Sequence, residues 1–572
     1  MQLDYQQQAA VEAKSKAAMV LAGAGSGKTL VLVERIRHLI ENERVSPHEI
    51  MAFTFTRKAA GEIKNRLRET IGEDAEKVTM GTMHSIALGM IHRFGYELGL
   101  RHDITTVYSQ WESDYLLREV AIELGYYHKK KWKVPKKQID EMFARYYQEG
   151  IAPARDDQGY PLFSAFIARC KENNALTYGT LLIGLFYLIT TMSINMNFSH
   201  ILVDEVQDID TLQWNIIDLL CSCFQASLFV VGDIDQSIYE WRGAVPDRLV
   251  NKQHLFDVYK LETNYRSVPE IVEKANNLIQ HNNNRITKTM VAHRKQSILG
   301  VAVCYNMDSN AIADNLKSRD ISNTAILARN HILLKKLSQV MTEKGIDHAY
   351  IGSKAELTNS EEFRRFHAFL KLIVNPYDNF SFLLIRELIG LSREEYAKIR
   401  MTAAQCGKSH FQVWNTSQSE WPLFNNEYEL DDIVTYLQDS IELKDICQIA
   451  EFIADSPGAD TKDYLDWLAT YDLQDELEET SGQLQLMAMT VHAAKGLEWD
   501  TVIIAGCNEG LIPSKQAVTA GGDAIEAERR LMYVAMTRAA DTLVMMVRPE
   551  LTVDARGKEY SNPISRFIEE AL

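Results

Sequence analysis

The stretch AMVLAGAGSGKTLVLVERI, residues 18–36, decides the fold. It begins as an apolar run of strand length, and beyond it Val33, Ile36 and Ile40 recur at helical spacing. Between strand and helix lies AGAGSGKT, Ala22 to Thr29. Gly23, Gly25 and Gly27 let the backbone close around a phosphate group and aim amide N–H groups and a helix N-terminus at it. Ala22, Ala24 and Ser26 complete the loop, Lys28 is placed to reach β- and γ-phosphates, and the Thr29 hydroxyl is placed to take Mg²⁺. The loop begins with Ala22 where the strictest form has glycine.

Outward from this unit the chain alternates strands and helices, the pattern of a parallel sheet with helical crossovers. IMAFTFT (50–56) runs into a helix carrying Ile63, Leu67 and Ile71, and strands return at HILVDE (200–205) and LFVVGD (228–233). The second half repeats the arrangement with TAILARN (324–330), a helix bearing Leu333, Leu337 and Val340, then LQLMAMT (484–490), TVIIAGC (501–507) and TLVMMVR (542–548). Residues 88–196 and 374–483 read as helical. The expected fold class is therefore α/β with two parallel-sheet cores, each interrupted by a mainly helical insertion. The first core takes 1–87 and 197–262, with its insertion at 88–196; the second takes 263–373 and 484–572, with its insertion at 374–483.

Charge and composition narrow the class further. A hydrophobic fraction of 46% in 572 residues supports several globular domains rather than a disordered chain. The formal charge of −17 argues against a partner bound by bulk positive charge, but that charge is concentrated. Residues 427–479 hold 17 acids against only Lys444 and Lys462, which leaves the rest near neutral and leaves room for a nucleic-acid groove outside this block. Seven cysteines without a regular framework, and an opening without the order of a secretion signal, point to a reducing cytoplasm. The stretch from Glu172 to Asp204 has no charged residue between those two, yet its apolar run, Leu181 to Met192, is too short for a bilayer; a buried helix is expected and no membrane partner.

Asp204 and Glu205 end an apolar strand downstream of the phosphate loop. That is where a second Mg²⁺ ligand and a water-orienting carboxylate belong. Arg266 in LETNYRS and Arg538 in YVAMTRA are the candidate arginines to meet transition-state charge from the second core.

These stretches, with LDYQQQAAV around Gln7, FTFTRKAAGEIKNRL (53–67), GTMHS (81–85), LVDEVQD (202–208), VVGDIDQSIYEWRGA (230–244), TVHAAKGLEWD (490–500) and EAERRLMYVAMTRA (526–539), resemble superfamily-one DNA helicases of the UvrD/Rep/PcrA type, here with a reduced second insertion. The resemblance implies two RecA-like P-loop domains and an ATP-dependent, 3′–5′ translocase and helicase acting in DNA repair, replication or recombination. It implies that Gln7 reads the adenine edge and Tyr265 stacks on the ring. Asp204 would help hold Mg²⁺, Glu205 would position water, and Gln236 would sense the γ-phosphate. Arg266 and Arg538 would act as arginine fingers, with Glu498 near the ribose. Phe55, His84, Trp241, Arg242 and His492 would lie along single-stranded DNA, which, with its junctions to duplex, is the implied partner. Leu30 replaces an arginine of the family pattern, predicting looser base selectivity, while Glu240 and Met83 replace an arginine and an aromatic, predicting weaker local DNA contacts.

Two features lie outside that pattern. KKKWKVPKK (129–137) packs six lysines around Trp132, either a phosphate contact or a solvated loop, and the acidic 427–479 block is either a protein-partner surface or a solubilising one. Two other functions fit the same motifs: the motor of a nuclease, anti-phage or protein-stripping complex, and an ATP-dependent clamp on nucleic acid.

Overall fold

The structure, a computed structural model, describes residues 3–191, 197–295, 300–317, 321–352, 357–415, 429–443, 445–454, 456, 460–471, 486–549, 551–553, 559–561 and 563–572. The chain separates into an α/β body (Met1–Thr82, Met196–Ser353 and Leu473–Leu572) and a helical body (Met83–Asn195 and Lys354–Asp472).

The α/β body holds two six-stranded sheets. Across the first the order is Asp257–Leu261, Ala17–Ala22, Ser227–Gly232, His200–Val203, Ile50–Thr54 and Thr79–Thr82, every pair parallel. Across the second it is Gly300–Cys304, Ala539–Met546, Trp499–Ala505, Thr324–Ala328, Leu486–Thr490 and Ala349–Tyr350, again all parallel. Helices on both faces explain why these strands are continuous apolar runs rather than alternating ones: Ile50–Thr54, Thr324–Ala328 and Leu486–Thr490 are buried at every position. The expected strand 50–56 stops at Thr54 because Thr56 turns to cap the next helix, Arg57–Ile71, accepting the Ala59 N–H on its hydroxyl at 3.1 Å. Ala17–Ala22, Ser227–Gly232 and His200–Val203 are adjacent, so the loops leaving their C-terminal ends gather in one place. Parallel α/β sheets bind ligands at those ends.

The helical body is less purely helical than its sequence suggests. Thr106–Tyr108 pairs with Ala175–Thr177, and Tyr127–His128 forms a hairpin with Lys131–Trp132. The charge-free stretch becomes the 14-residue helix Tyr178–Thr191, and among the described residues no helix is long and apolar enough to cross a membrane.

Its boundaries also differ. The helix Glu361–Val374, assigned from sequence to the second core, belongs here, because Phe363, Phe366 and Phe369 enter one apolar core with Leu116, Phe163 and Phe166. The helix Met83–Phe94 falls in this body too, several residues earlier than the expected start at 88. The two insertions thus share a core, and they share its polar contacts. Lys371 Nζ donates to Glu112 Oε1 at 2.6 Å with both groups buried, and Asn375 Nδ2 donates to Thr106 Oγ1 and to the carbonyls of Asn173 and Asn174. Within the acidic block, the helices Leu430–Ser440, Ile446–Ala454 and Thr461–Ala469 bury Ile433, Leu437, Ile449, Phe452 and Tyr464 and turn Asp431, Asp432, Asp439, Glu451 and Asp463 outward. Residues 427, 428, 444, 455, 457–459 and 472–479 of that block lie outside the described residues.

Truncating one partner of the buried pair strands the other charge. Glu112→Ala is expected to destabilise the helical body by about 3–5 kcal/mol, while Glu112→Leu with Lys371→Met recovers the part of that loss due to the stranded Lys371 charge and not the part due to the Ser109 cap on Glu112 Oε2. Urea unfolding of the full chain measures both, and a near-neutral Glu112→Ala would contradict the buried pairing.

Candidate active site

The phosphate loop leaves the buried strand Ala17–Ala22 and ends where Lys28 opens the helix Lys28–Glu41. Gly27 adopts φ 82°, a left-handed value that lets the chain turn into the helix without a Cβ clash. Ser26 Oγ donates to the Gly23 carbonyl at 2.8 Å and braces the loop from within. Gln7 meets it from the side: Nε2 donates to the Ser26 carbonyl at 3.1 Å, and Oε1 accepts the Asp4 N–H at 3.0 Å.

The paired carboxylates follow the strand His200–Val203. Glu205 stands at φ 47°, a left-handed conformation that costs a non-glycine residue about 1–3 kcal/mol and that clusters at functional sites. This twist turns its carboxylate toward Lys28, with Nζ 3.2 Å from Oε1. Burial alone would raise the Glu205 carboxyl, but the Lys28 and Lys495 charges hold it well below the usual range. For Asp204 burial dominates and the adjacent Glu205 charge adds to it, so its carboxyl is pushed up. A buried carboxylate short of positive charge, beside a phosphate loop with Thr29 at its helix start, is a donor set that fits Mg²⁺.

A chain of hydrogen bonds then runs beneath the site. Gln207 Nε2 donates to the Glu205 carboxylate and to Asp208 Oδ2, and its Oε1 accepts the Asp233 N–H at 2.9 Å. Gly232 makes room for this: a Cβ there would fall 2.4 Å from Gln207 Oε1. Asp233 Oδ2 accepts from Gln236 Nε2 at 2.6 Å. Burial lifts the Asp208 carboxyl to about 6 even though Lys495 sits on it.

Residues of the second half close on this framework. Asn264 Nδ2 donates to the Ala24 carbonyl at 2.7 Å and the Tyr265 N–H to the Gly25 carbonyl at 2.9 Å, while the Tyr265 hydroxyl donates to Asp4. Arg266 is held by Glu498 and by the Thr537 carbonyl. Glu498 is otherwise exposed. Lys495 Nζ donates to the Gln236 carbonyl at 2.8 Å, and Arg538 Nη2 donates to Gln236 Oε1 at 3.2 Å. The remaining Arg538 partners are the carbonyls of Val534 and Leu497 and the Thr537 hydroxyl. Among the described residues it makes no ion pair, and burial, reinforced by Arg266, lowers its affinity for its proton.

Four of the five expected DNA-contact residues come together. Phe55 stacks on Tyr239 at 5.0 Å, Trp241 lies 6.1 Å edge-on from His492, and Arg242 lies over the Tyr239 and Trp241 rings. Trp241 is 71% exposed, so an indole face is open for stacking. Burial drives the His492 imidazole down to about 4, helped by Arg329 and Lys495, so it presents a neutral ring. His84 lies instead in the helical body, stacked on Tyr178 at 4.0 Å. Glu240, the departure from the family pattern, pairs with Arg530.

Tyr239, Gln207, Asp208, Asp233 and Lys495 sit inside the motifs read from sequence but were assigned no role there; only their neighbours in space give them one. Asp4 and Lys288 lie outside the chemistry those motifs announce. Asp4 is recognisable as a helix cap three residues before Gln7, but nothing local to Lys288 signals its place.

Comparison with known proteins gives a consistent picture. The family model described as the UvrD/REP helicase N-terminal domain matches residues 3–257, and that of the UvrD-like helicase C-terminal domain matches 259–421 and 415–549. The chain is 27% identical to an ATP-dependent DNA helicase PcrA of Leuconostoc citreum, over 99% of this chain and 84% of that protein. It is 26% identical to proteins of the same description from Bacillus subtilis strain 168 and Staphylococcus epidermidis, over 99% of this chain and 85% and 86% of theirs.

The His492 environment can be read by titration. An unfolded histidine takes up its proton near 6.5 and the folded one near 4, so between those pH values the unfolded chain binds more protons and stability falls on acidification. His492→Gln should lose about 2 kcal/mol less than the parent between pH 7 and pH 5. Equal losses in urea titrations at the two pH values would contradict the buried, neutral imidazole.

Proposed function

Since the chain belongs to the UvrD/Rep family of helicases and is an ATP-dependent DNA helicase, we propose that it moves 3′ to 5′ along single-stranded DNA and opens duplex at the junction, in repair, replication or recombination. The observation that carries this reading is the Arg538–Gln236 contact. A buried guanidinium that pairs with no carboxylate among the described residues is a receptor for a phosphate group, and it donates to the side chain of Gln236, which lies in the segment leaving the first sheet and leading to Tyr239 and Trp241.

In this reading the loop from Ala22 to Thr29 holds the ATP phosphates, with Gln7 and Tyr265 at the base. Thr29 and Asp204 would hold Mg²⁺, which when bound neutralises charge between the β- and γ-phosphates. Lys28 exchanges Glu205 for phosphate oxygens, and the released carboxylate, kept ionised, orients the attacking water. Arg266 and Arg538 meet the charge that spreads over the γ-phosphoryl group. Gln236 carries the change to Tyr239, Trp241 and Arg242, a few residues further along the same segment, and so to the grip on DNA. Free thiols at all seven cysteines fit a cytoplasmic setting, and the outward acids among the described residues of 427–479, such as Asp431, Asp432, Asp439 and Glu451, are proposed as part of a surface for a basic protein partner.

An assay with 3′-tailed, 5′-tailed and blunt duplexes tests direction: opening of the 3′-tailed substrate alone is expected, and opening of the 5′-tailed one alone would reverse the reading. Lys28→Ala, Glu205→Gln and Arg266→Ala should each lower DNA-stimulated hydrolysis by at least about a hundredfold. Turnover near that of the parent in any of them removes the role given to that residue.

The basic hairpin of the helical body belongs to the same proposal as a phosphate contact. Lys136 and Lys137 pair with Asp140 and Glu141 in their own helix, leaving Lys129 and Lys130 in the hairpin turn, where they take φ of 47° and 62°, Lys131 in its second strand and Lys133 just beyond it, over the Tyr126 ring. Changing these four to Gln should reduce the slope of log affinity against log salt by about 3–4, each phosphate contact contributing about 0.7–0.9. An unchanged slope identifies a solvated loop.

A further inference from the structure

Lys288 lies between the helix Pro269–Ile279 and the strand Val291–Ala292, in a segment that no motif covers, and it is only 7% exposed. Its Nζ donates to both Asp233 and Asp235. Arg285 takes the other side of Asp235, Nε to Oδ1 at 3.0 Å and Nη2 to Oδ2 at 2.7 Å, and donates to the carbonyl of Lys288 at 3.3 Å. Two cations thus meet two carboxylates in a neutral, buried cluster.

Such a cluster adds little stability over apolar side chains of the same shape. What it supplies is geometry, and Asp233 shows where that geometry is used. Oδ1 accepts from Lys288 and from the Asp235 N–H, which sets the plane of the carboxylate and turns Oδ2 toward Gln236. With its Nε2 committed to Asp233, the Gln236 amide offers its oxygen to Arg538. A side-chain amide has ends of equal size and opposite polarity. Turned over, it would point N–H groups at a guanidinium, which has no acceptor, and the contact between the sheets would be lost.

We infer that Lys288 is a positioning residue for ATP hydrolysis: acting through Asp233, it holds the Gln236 amide in the orientation that joins the phosphate site of the first sheet to Arg538 of the second. This rests on the role given to Gln236 above. Among the described residues the hydrogen bonds of Lys288 go to Asp233, Asp235 and Arg285 and to none of the residues assigned to ATP or Mg²⁺, so its loss should slow the stimulated step and leave ATP binding in place.

The test uses the full chain, steady-state ATPase kinetics with saturating single-stranded DNA, and thermal unfolding as a check on folding. Lys288→Met should lower kcat by about tenfold or more while KM for ATP stays within about twofold. Lys288→Met combined with Gln236→Ala should be no slower than Gln236→Ala alone, because both remove one link. A kcat for Lys288→Met equal to the parent, or losses that multiply in the double variant, overturns the inference. Normal turnover by Gln236→Ala would instead sink the reading of Gln236, so the two failures are distinguishable. If Lys288→Met does not fold, Asp233→Asn with Lys288→Met removes the stranded carboxylate; the same low kcat is then expected, and parental kcat is the contrary result.

Discussion

Buried charge has to be matched, and in this chain the match is made from one sheet to the other. The loops at the ends of the first sheet carry Asp208, Asp233 and Asp235, all nearly inaccessible. The cations that answer them, Lys288, Arg285 and Lys495, come from segments beyond Asn264. Leaving one such carboxylate alone costs several kcal/mol, far more than a surface ion pair contributes. The two sheets are therefore held in register by electrostatics that tolerate few alternatives, and the nucleotide loop inherits that register through Asn264 and Tyr265.

In the proposed function, that arrangement would let a phosphate event reach DNA over a short length of chain. Asp233, Gln236, Tyr239 and Trp241 fall within nine residues. The start of the segment answers to Gln207 and Lys288. Its middle is fixed by Arg530, whose Nε donates to the Ser237 carbonyl and whose other nitrogen pairs with Glu240. Its end presents an exposed indole beside His492, whose carbonyl accepts the Tyr239 hydroxyl at 3.2 Å. A rigid segment clamped at several points moves as a unit, so in the proposed function a shift of Gln236 would become a shift of the Trp241 indole.

The helical body is organised on a different principle. Its two insertions meet in a large aromatic and aliphatic core, and the buried pair Glu112–Lys371 bridges 259 residues of sequence. Among the described residues of the acidic block, Asp431, Asp432, Asp439, Glu451 and Asp463 face outward from helices whose other faces are apolar, so these charges lie on the surface and not in the core.

The sequence by itself determined what depends on neighbours along the chain: the phosphate loop, the strand–turn–helix units that place Asp204 and Glu205, two cores rather than one, and the arginines and aromatics within contiguous motifs. Each is written in periodicity or in a fixed spacing, which local chain geometry enforces. Only the tertiary structure decided that Glu361–Val374 joins the helical body, that Tyr239 links Phe55 to Trp241, that Glu240 is spent on Arg530, and that Lys288 sits on Asp233, 55 residues away. A buried ion pair leaves no periodic trace, since either partner alone looks like an ordinary surface charge; the fold gives it meaning by removing water from both at once.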